Sequence, residues 1–243
     1  ETAKPGRILP APARDNLDGF FRGAERAIAR YEDSYRAYFA RHNDPADPRT
    51  PLDPAPRVLL VPGLGFFAVG VNAWAAEIAA DVYANNIDVI TDAEAIGRFR
   101  SITEAQMFEI EHWSLEQAKL GAAKEKALAR QVVAITGAGG AIGQATACAF
   151  ADAGAEVALL DLDAGAVAPL ADSLGGFAVA CDVTRDRDVA RAFAEISERV
   201  GGVDILVSNA GAAWQGRIGD VDERVLRESF ELNFFAHQRV AQA

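Results

Sequence analysis

Two rhythms of apolar and polar positions divide the chain. From residue 17 to residue 42, Phe20, Ala24, Ala27, Ile28, Tyr31, Tyr35, Tyr38 and Phe39 recur at helical spacing, and Arg and Glu fill the opposite face. This predicts an amphipathic helix packed on a neighbour, in preference to a dedicated partner-binding helix. Before it lies a polar lead-in, residues 1–16, with three prolines. After it, residues 43–56 carry five prolines and three aspartates and read as a linker. Residues 57–61 then form a short strand and Pro62-Gly63-Leu64-Gly65 a turn. A helix is expected from Asn72 to Ala95, carrying Trp74, Ile78, Val82, Ile87 and Ile90. Ser101 and Glu104 have capping-box spacing and would open another helix through Met107, Ile110, Trp113 and Leu115 to about Leu120. Residues 121–130 form an Ala- and Lys-rich join.

Beyond the join the rhythm becomes a regular alternation. Apolar runs at 131–136, 156–161, 177–181 and 203–208 are strand-like, and 142–153, 164–174, 185–200 and 222–243 are helix-like. Strands alternating with helices at this spacing build a parallel sheet from βαβ units. The expected fold class is α/β: a doubly wound parallel (Rossmann-type) sheet, truncated, preceded by a mostly helical α/β segment. The domain boundary is expected at residues 127/128. The chain opens at Glu1 and stops at Ala243 within a helix pattern, which is expected of a fragment of a longer polypeptide.

Charge narrows the function classes. Lys and Arg total 24 against 35 Asp and Glu, a net charge of −11. Without grouped cations the chain lacks what phosphate neutralisation requires, so nucleic acid is not an expected partner. The stretch 58–76 has no charged residue, but Pro62, Gly63, Gly65, Gly70 and Asn72 interrupt it as a strand, a turn and a helix start. A membrane span needs about 20 continuous apolar residues, so no membrane partner is expected. Cys148 and Cys181, the only two cysteines, lie in separate apolar segments and read as reduced core thiols of a cytoplasmic protein. No signal peptide is visible.

Chemistry concentrates at the strand ends of the second half. The first strand runs into Thr136-Gly137-Ala138-Gly139-Gly140-Ala141-Ile142-Gly143. A Gly-rich turn between strand and helix brings backbone N–H groups and the positive end of a helix dipole to a phosphate. Gly137 would permit the tight turn and Gly143 the close packing of helix on strand. The second strand ends in Asp161, 18 residues after Gly143, where a carboxylate accepts hydrogen bonds from adenosine ribose hydroxyls. That carboxylate would repel a 2′-phosphate and no Arg follows it, which favours NAD over NADP. The third strand ends in Asp182-Val183 and the fourth in Asn209-Ala210-Gly211, the edge at which open α/β sheets bind ligands.

These elements, in this order, resemble the first two-thirds of a short-chain dehydrogenase/reductase. The resemblance implies that Asp182 and Val183 hold adenine and that Asn209, Ala210 and Gly211 line the nicotinamide ribose. It makes Asn233 the structural member of a catalytic tetrad, holding a water in the proton relay. It also marks departures. Ala141 stands at the family's middle glycine and Ser208 replaces the first Asn of Asn-Asn-Ala-Gly. The family's catalytic Ser and its Tyr-x-x-x-Lys are absent, and none of Tyr31, Tyr35, Tyr38 and Tyr83 lies in the second domain. The piece by itself is therefore expected to be inactive, with Val203–Ser208 as an open sheet edge. Val225, Leu226, Phe230, Phe234 and Phe235 would form an apolar stripe that packs on a second subunit of a homo-oligomer.

The first half, through Arg57–Gly70 and Glu111–Leu120, resembles the tail of the aldolase in bifunctional proteins that fuse a class II aldolase of the rhamnulose-1-phosphate type to a short-chain dehydrogenase. In that family a divalent metal is held by His side chains and polarises a carbonyl. Only His42, His112 and His237 occur here, in unrelated segments. No metal site is therefore assigned, and His112 is expected to pack a helix. Gly63, Gly65 and Gly70 are followed by no acidic strand end, so a second nucleotide site is not expected. The resemblance implies oxidation of a small alcohol or hydroxyaldehyde. The alternative from another class is a non-catalytic nucleotide-binding or scaffold module that uses the helical arm on a partner.

Overall fold

A computed structural model describes residues 6–13, 16–113, 125–217 and 219–243. The chain divides into two units, residues 1–124 and 125–243.

In the first unit the 26-residue helix α1 (Leu17–His42) forms where the apolar rhythm predicts it. Asn16 caps it, accepting the Gly19 N–H at 2.9 Å. Tyr35 and Tyr38 pack with Phe108, while Ala27 packs with Leu9 and Val61. Two strands escaped the sequence reading. Within the polar lead-in, β1 (Arg7–Ile8) pairs in parallel with β2 (Val58–Val61). Beyond the Pro-Gly turn the chain folds back as β3 (Gly65–Ala68), antiparallel to β2, rather than proceeding to a helix start. Gly63, at φ +84°, supplies the left-handed residue that this hairpin needs. Helix α2 (Ala73–Ile96) is capped by Asn72 and meets β3 through an edge-on contact of Tyr83 with Phe66 at 5.4 Å.

Helix α3 (Glu104–Glu111) starts later than expected. Its capping box is Thr103 with Gln106, not Ser101 with Glu104: Thr103 Oγ1 accepts the Gln106 N–H, and Gln106 Oε1 accepts the Thr103 N–H at 3.0 Å. The expected continuation through residues 114–120 lies outside the described residues. His112 ends the helix, buried, stacked on Phe108 at 4.2 Å and with Nδ1 3.0 Å from the Phe108 carbonyl. Burial holds its pKa below the usual imidazole value.

The second unit is the doubly wound half-sheet that the alternation predicts. Its strands are β4 (Val132–Thr136), β5 (Glu156–Asp161), β6 (Phe177–Ala180) and β7 (Ile205–Val207). All are parallel, as the alternation predicts, and their spatial order is β6-β5-β4-β7. The helices are α4 (Ala141–Asp152), α5 (Ala164–Ser173), α6 (Asp186–Val200), α7 (Glu223–Phe230) and α8 (Ala236–Ala241). Side chains of β4 alternate between faces. Val133 and Ile135 pack with Ala147, Val167 and Ala171 of α4 and α5, whereas Val132 and Ala134 pack with Val189, Ala192 and Ile196 of α6 and Ala236 and Val240 of α8. Every residue of β4 is buried, the property of a central strand covered on both faces.

Two expectations are corrected here. The long helix at 222–243 is not uniform: Glu231–Phe235 form a π-helical turn between α7 and α8. Cys148 is exposed on α4 and is not a core thiol, whereas Cys181 is buried. β7 lies at the sheet margin, and Leu226, Phe230, Phe234 and Phe235 are exposed. No described helix is long and apolar enough to cross a membrane.

Candidate functional site

The carboxyl ends of the four parallel strands surround a cleft of about 600 Å³. Eleven residues singled out by sequence line it: Gly137, Gly140, Ala141, Ile142, Gly143, Asp161, Asp182, Val183, Asn209, Ala210 and Gly211. Thr136, Gly139 and Asn233 are not in the lining but hold it in shape. Leu162, Cys181, Thr184, Ala212 and Leu232 also line the cleft and were missed. All five sit next to a recognised residue, Leu232 beside Asn233 and the others beside a strand-end motif, so widening each motif by one residue would have found them.

The floor is a glycine turn with little tolerance. Gly137 sits at φ +64°, and a Cβ there would lie 2.7 Å from the Ala210 Cα. At Gly143 a Cβ would stand 2.3 Å from the Gly137 carbonyl oxygen. Neither contact is one that real side chains make, so the turn comes close to the segment after β7 because Gly137 lacks a side chain and close to helix α4 because Gly143 does. Gln144 Nε2 donates to the Gly139 carbonyl at 2.8 Å and braces the turn. Helix α4 opens on Gly140, which offers no side-chain cap. Its first-turn N–H groups therefore face the cleft without an intrahelical acceptor, and they carry the positive end of the helix dipole.

Acidic groups flank this positive start. Asp161 Oδ2 accepts the Gly139 N–H at 2.8 Å, which fixes the carboxylate beside the glycine turn. Asp182 Oδ1 accepts the Thr184 N–H at 3.0 Å and its hydroxyl at 2.6 Å, and Arg185 lies 3.1 Å from Oδ2. Burial works to raise the Asp182 pKa, but these partners together outweigh it and hold the carboxyl below its usual range. Burial, then the nearby Asp188 carboxylate, pushes the Cys181 thiol up to about 11.

The opposite wall is pinned by Thr136, which is fully buried. Its Oγ1 accepts the N–H groups of Asn209 at 3.0 Å and Ala210 at 3.1 Å. Asn209 Nδ2 returns hydrogen bonds to the carbonyls of Thr136 at 3.0 Å and Gly137 at 3.1 Å. From the far side, Asn233 Oδ1 accepts the Ala212 N–H at 3.1 Å, and its Nδ2 donates to the Ala212 carbonyl at 2.8 Å and to Ser229 Oγ. A Cβ on Gly211 would come within 2.9 Å of Asn233 Oδ1. Asn233 lies in the π-helical turn, and such turns recur at functional sites. Among the described residues no three His, Cys, Asp or Glu side chains gather as metal ligands would.

Two family models match the chain. Residues 131–243 match the short chain dehydrogenases, and residues 3–120 match the second domain of the class II aldolases. Over 209 residues the chain is 34% identical to the uncharacterized oxidoreductase YuxG of Bacillus subtilis, covering 83% of this chain and 30% of that protein. It is 37% identical over 113 residues to the 7alpha-hydroxysteroid dehydrogenase of Escherichia coli K12, covering 44% of each. A solved short-chain type dehydrogenase/reductase from Mycobacterium marinum aligns at 32% identity over 47% of both chains, with a TM-score of 0.46. The chain thus spans less than half the length of these two curated relatives.

Proposed function

We propose, for a chain that belongs to the short-chain dehydrogenase family over residues 131–243 and to the class II aldolase second-domain family over residues 3–120, that the cleft holds NAD for the oxidation of a small alcohol or hydroxyaldehyde. The carrying observation is the convergence of four strand ends on one cleft that pairs an uncapped helix start with a carboxylate at the end of β5. The first suits a pyrophosphate and the second a ribose diol.

Each residue then has a defined task. The N–H groups of Ala141, Ile142 and Gly143 would receive the pyrophosphate, Asp161 the adenosine ribose, and Asp182 and Val183 the adenine. Asn209, Ala210 and Gly211 would border the nicotinamide ribose. When bound, the nicotinamide supplies the hydride acceptor. Ala141 narrows the entry by one methyl, but Gly139 and Gly140 leave the turn free to adjust. Asn233 spends both amide donors and one acceptor position on Ala212 and Ser229. We therefore assign its side chain to positioning Ala212 rather than to carrying a proton.

The preference for NAD follows from charge. A 2′-phosphate would meet the Asp161 carboxylate, with Leu162 and Asp163 next in the chain and no Lys or Arg among the described residues that line the cleft. The order of the two family matches supports a bifunctional aldolase/dehydrogenase; on this proposal it is of the rhamnulose-1-phosphate type and cytoplasmic, and an aldehyde released by aldol cleavage is oxidised by the same polypeptide. The exposed Phe230, Phe234 and Phe235 support a homo-oligomer.

Calorimetry on the full-length protein tests the reading. NAD should bind more tightly than NADP, and a small hydroxyaldehyde should reduce it. Tighter binding of NADP would overturn the cofactor assignment, and binding of neither would overturn the site. Nucleotide binding without turnover of any alcohol or aldehyde would favour the scaffold alternative.

A further inference from the structure

The two walls of the cleft are attached to the same helical run, at residues that neither the motifs nor the proposed function uses. On one wall, Arg239 Nη1 donates to the Val183 carbonyl at 3.1 Å and Nε to Asp186, the first residue of α6. Its remaining nitrogen, Nη2, donates to Glu231 Oε1 at 2.8 Å in the π-helical turn. One planar guanidinium thus ties the segment after β6 to the helix through three acceptors, a geometry that an ammonium cannot reproduce. On the other wall, Ser208 Oγ and His237 Nδ1 lie 2.6 Å apart. Which of the two donates depends on the imidazole tautomer, but either tautomer fixes the end of β7 to α8. His237 is one turn beyond Asn233, which holds Ala212. Segment 208–212 is therefore gripped at both ends by side chains of one helix face.

We infer that Arg239 and His237 are positioning residues for opposite ends of the nucleotide, Arg239 for the adenine wall through Val183 and Asp186, and His237 for the nicotinamide wall through Ser208. This rests on the nucleotide reading of the cleft. The two residues share a helix but hold different walls, so their effects separate. Without Arg239 the Val183 carbonyl loses its donor and two carboxylates lose their cation, and the segment at 182–185 relaxes. Without the imidazole, Ser208 loses its partner and the 208–212 segment keeps only its ties through Asn233, Thr136 and the Asn209 side chain.

The test uses the full-length protein and three probes: NAD, AMP for the adenine half, and nicotinamide mononucleotide for the other half, each titrated by calorimetry or by displacement of bound NADH. Losing the hydrogen bonds that hold a wall should weaken the affected half by roughly five- to tenfold. Arg239→Met should therefore weaken AMP by about that factor and leave nicotinamide mononucleotide within about twofold, and Arg239→Lys should recover only part of the loss. His237→Phe should do the reverse, and His237→Asn, which returns a polar atom near the place of Nδ1, should recover the lost affinity. The half that keeps its affinity reports that the variant is folded. Should Arg239→Met fail to fold, Arg239→Lys carries that arm, with a loss confined to AMP as support. Equal losses of both halves, or no loss of either, would overturn the assignment. If unaltered protein binds none of the probes, the nucleotide reading falls and takes this inference with it.

Discussion

Thr136 offers the sharpest test of how the cleft is built, because a single oxygen holds two strand ends together. Thr136→Val keeps the shape of the side chain and deletes only Oγ1. The residue is fully buried, and that oxygen accepts the N–H groups of Asn209 and Ala210 at 3.0 and 3.1 Å. Each such bond contributes about 1 kcal/mol net, and a donor left dry costs about 1–3 kcal/mol. The two donors are half-buried, so water can reach them in part, and the expected loss is about 2–3 kcal/mol. Thr136→Ser is the control. It keeps the oxygen and removes one methyl, a loss of about 1 kcal/mol.

The expected order of stability is therefore Thr, then Ser, then Val. For a unit of a little over one hundred residues the valine variant should lower the midpoint of thermal unfolding by roughly 6–15 °C. The assay is thermal unfolding of the full-length protein followed by circular dichroism, with amide hydrogen exchange at Asn209 and Ala210 as the local readout. Those two amides should lose protection in the valine variant and keep it in the serine variant. A valine variant as stable as the parent, or less damaging than the serine variant, would show that Thr136 acts by packing and that the hydroxyl staple is idle.

Four further outcomes follow from the geometry. Gly143→Ala should cost more than about 3 kcal/mol in urea unfolding, because its Cβ meets backbone, whereas Gly140→Ala should stay within about 1 kcal/mol since its nearest atom is 3.5 Å away. Asp161→Ser combined with Leu162→Arg should lower the NAD-to-NADP affinity ratio by at least about tenfold in paired titrations, through loss of the carboxylate and gain of a phosphate partner. A thiol reagent at pH 8 should modify exposed Cys148 first. The remaining thiol of a Cys148→Ser chain should react at least about tenfold more slowly, accelerating only as pH nears about 11. Asp182, with its pKa held down, stabilises the fold above the ordinary carboxylate value near 4, and that contribution is lost as pH falls through its lower folded value. The stability gap between the parent and Asp182→Asn should therefore close in acid unfolding series below about pH 4.

The parts of this molecule that sequence made legible are those where one residue type answers one local demand. The two central strands of the second unit are buried on both faces and the two marginal ones half-buried, and continuous apolar runs announce all four. Their parallel pairing follows from the βαβ alternation, whereas their spatial order does not, because right-handed connections leave more than one order open. Gly137 and Gly143 were legible because nothing larger fits, and Asp161 because a strand-end carboxylate has few other tasks there. Strands β1 and β3 were not. The first is two residues long, and the second is Gly-Phe-Phe-Ala, too short to show a period of two. The α3 cap shifted by two residues because Ser101-Glu104 and Thr103-Gln106 satisfy the same spacing rule, and only geometry decides between them.

A different limit applies to the residues that hold the cleft from behind. Asn233 is picked out by the family resemblance alone, and His237 and Arg239, two positions apart, share no face of a regular helix; in a run that also carries Phe234, Phe235 and Val240 their polar heads read as ordinary solvated positions. What selects them is where the π-helical turn at 231–235 brings that run against two separate strand ends. Periodicity places His237 one turn beyond Asn233, but it does not say that Ser208, far away in sequence, is the group that it meets. The pairing of Ser208 with His237 also explains how the first Asn of an Asn-Asn-Ala-Gly pattern can be lost without leaving the end of β7 loose. The Ser208 hydroxyl finds its partner in the imidazole on α8, 2.6 Å away. The substitution at 208 and the histidine at 237 are then one feature, 29 positions apart in sequence, and Ser208→Asn should be tolerated better with His237→Ala than with His237 retained.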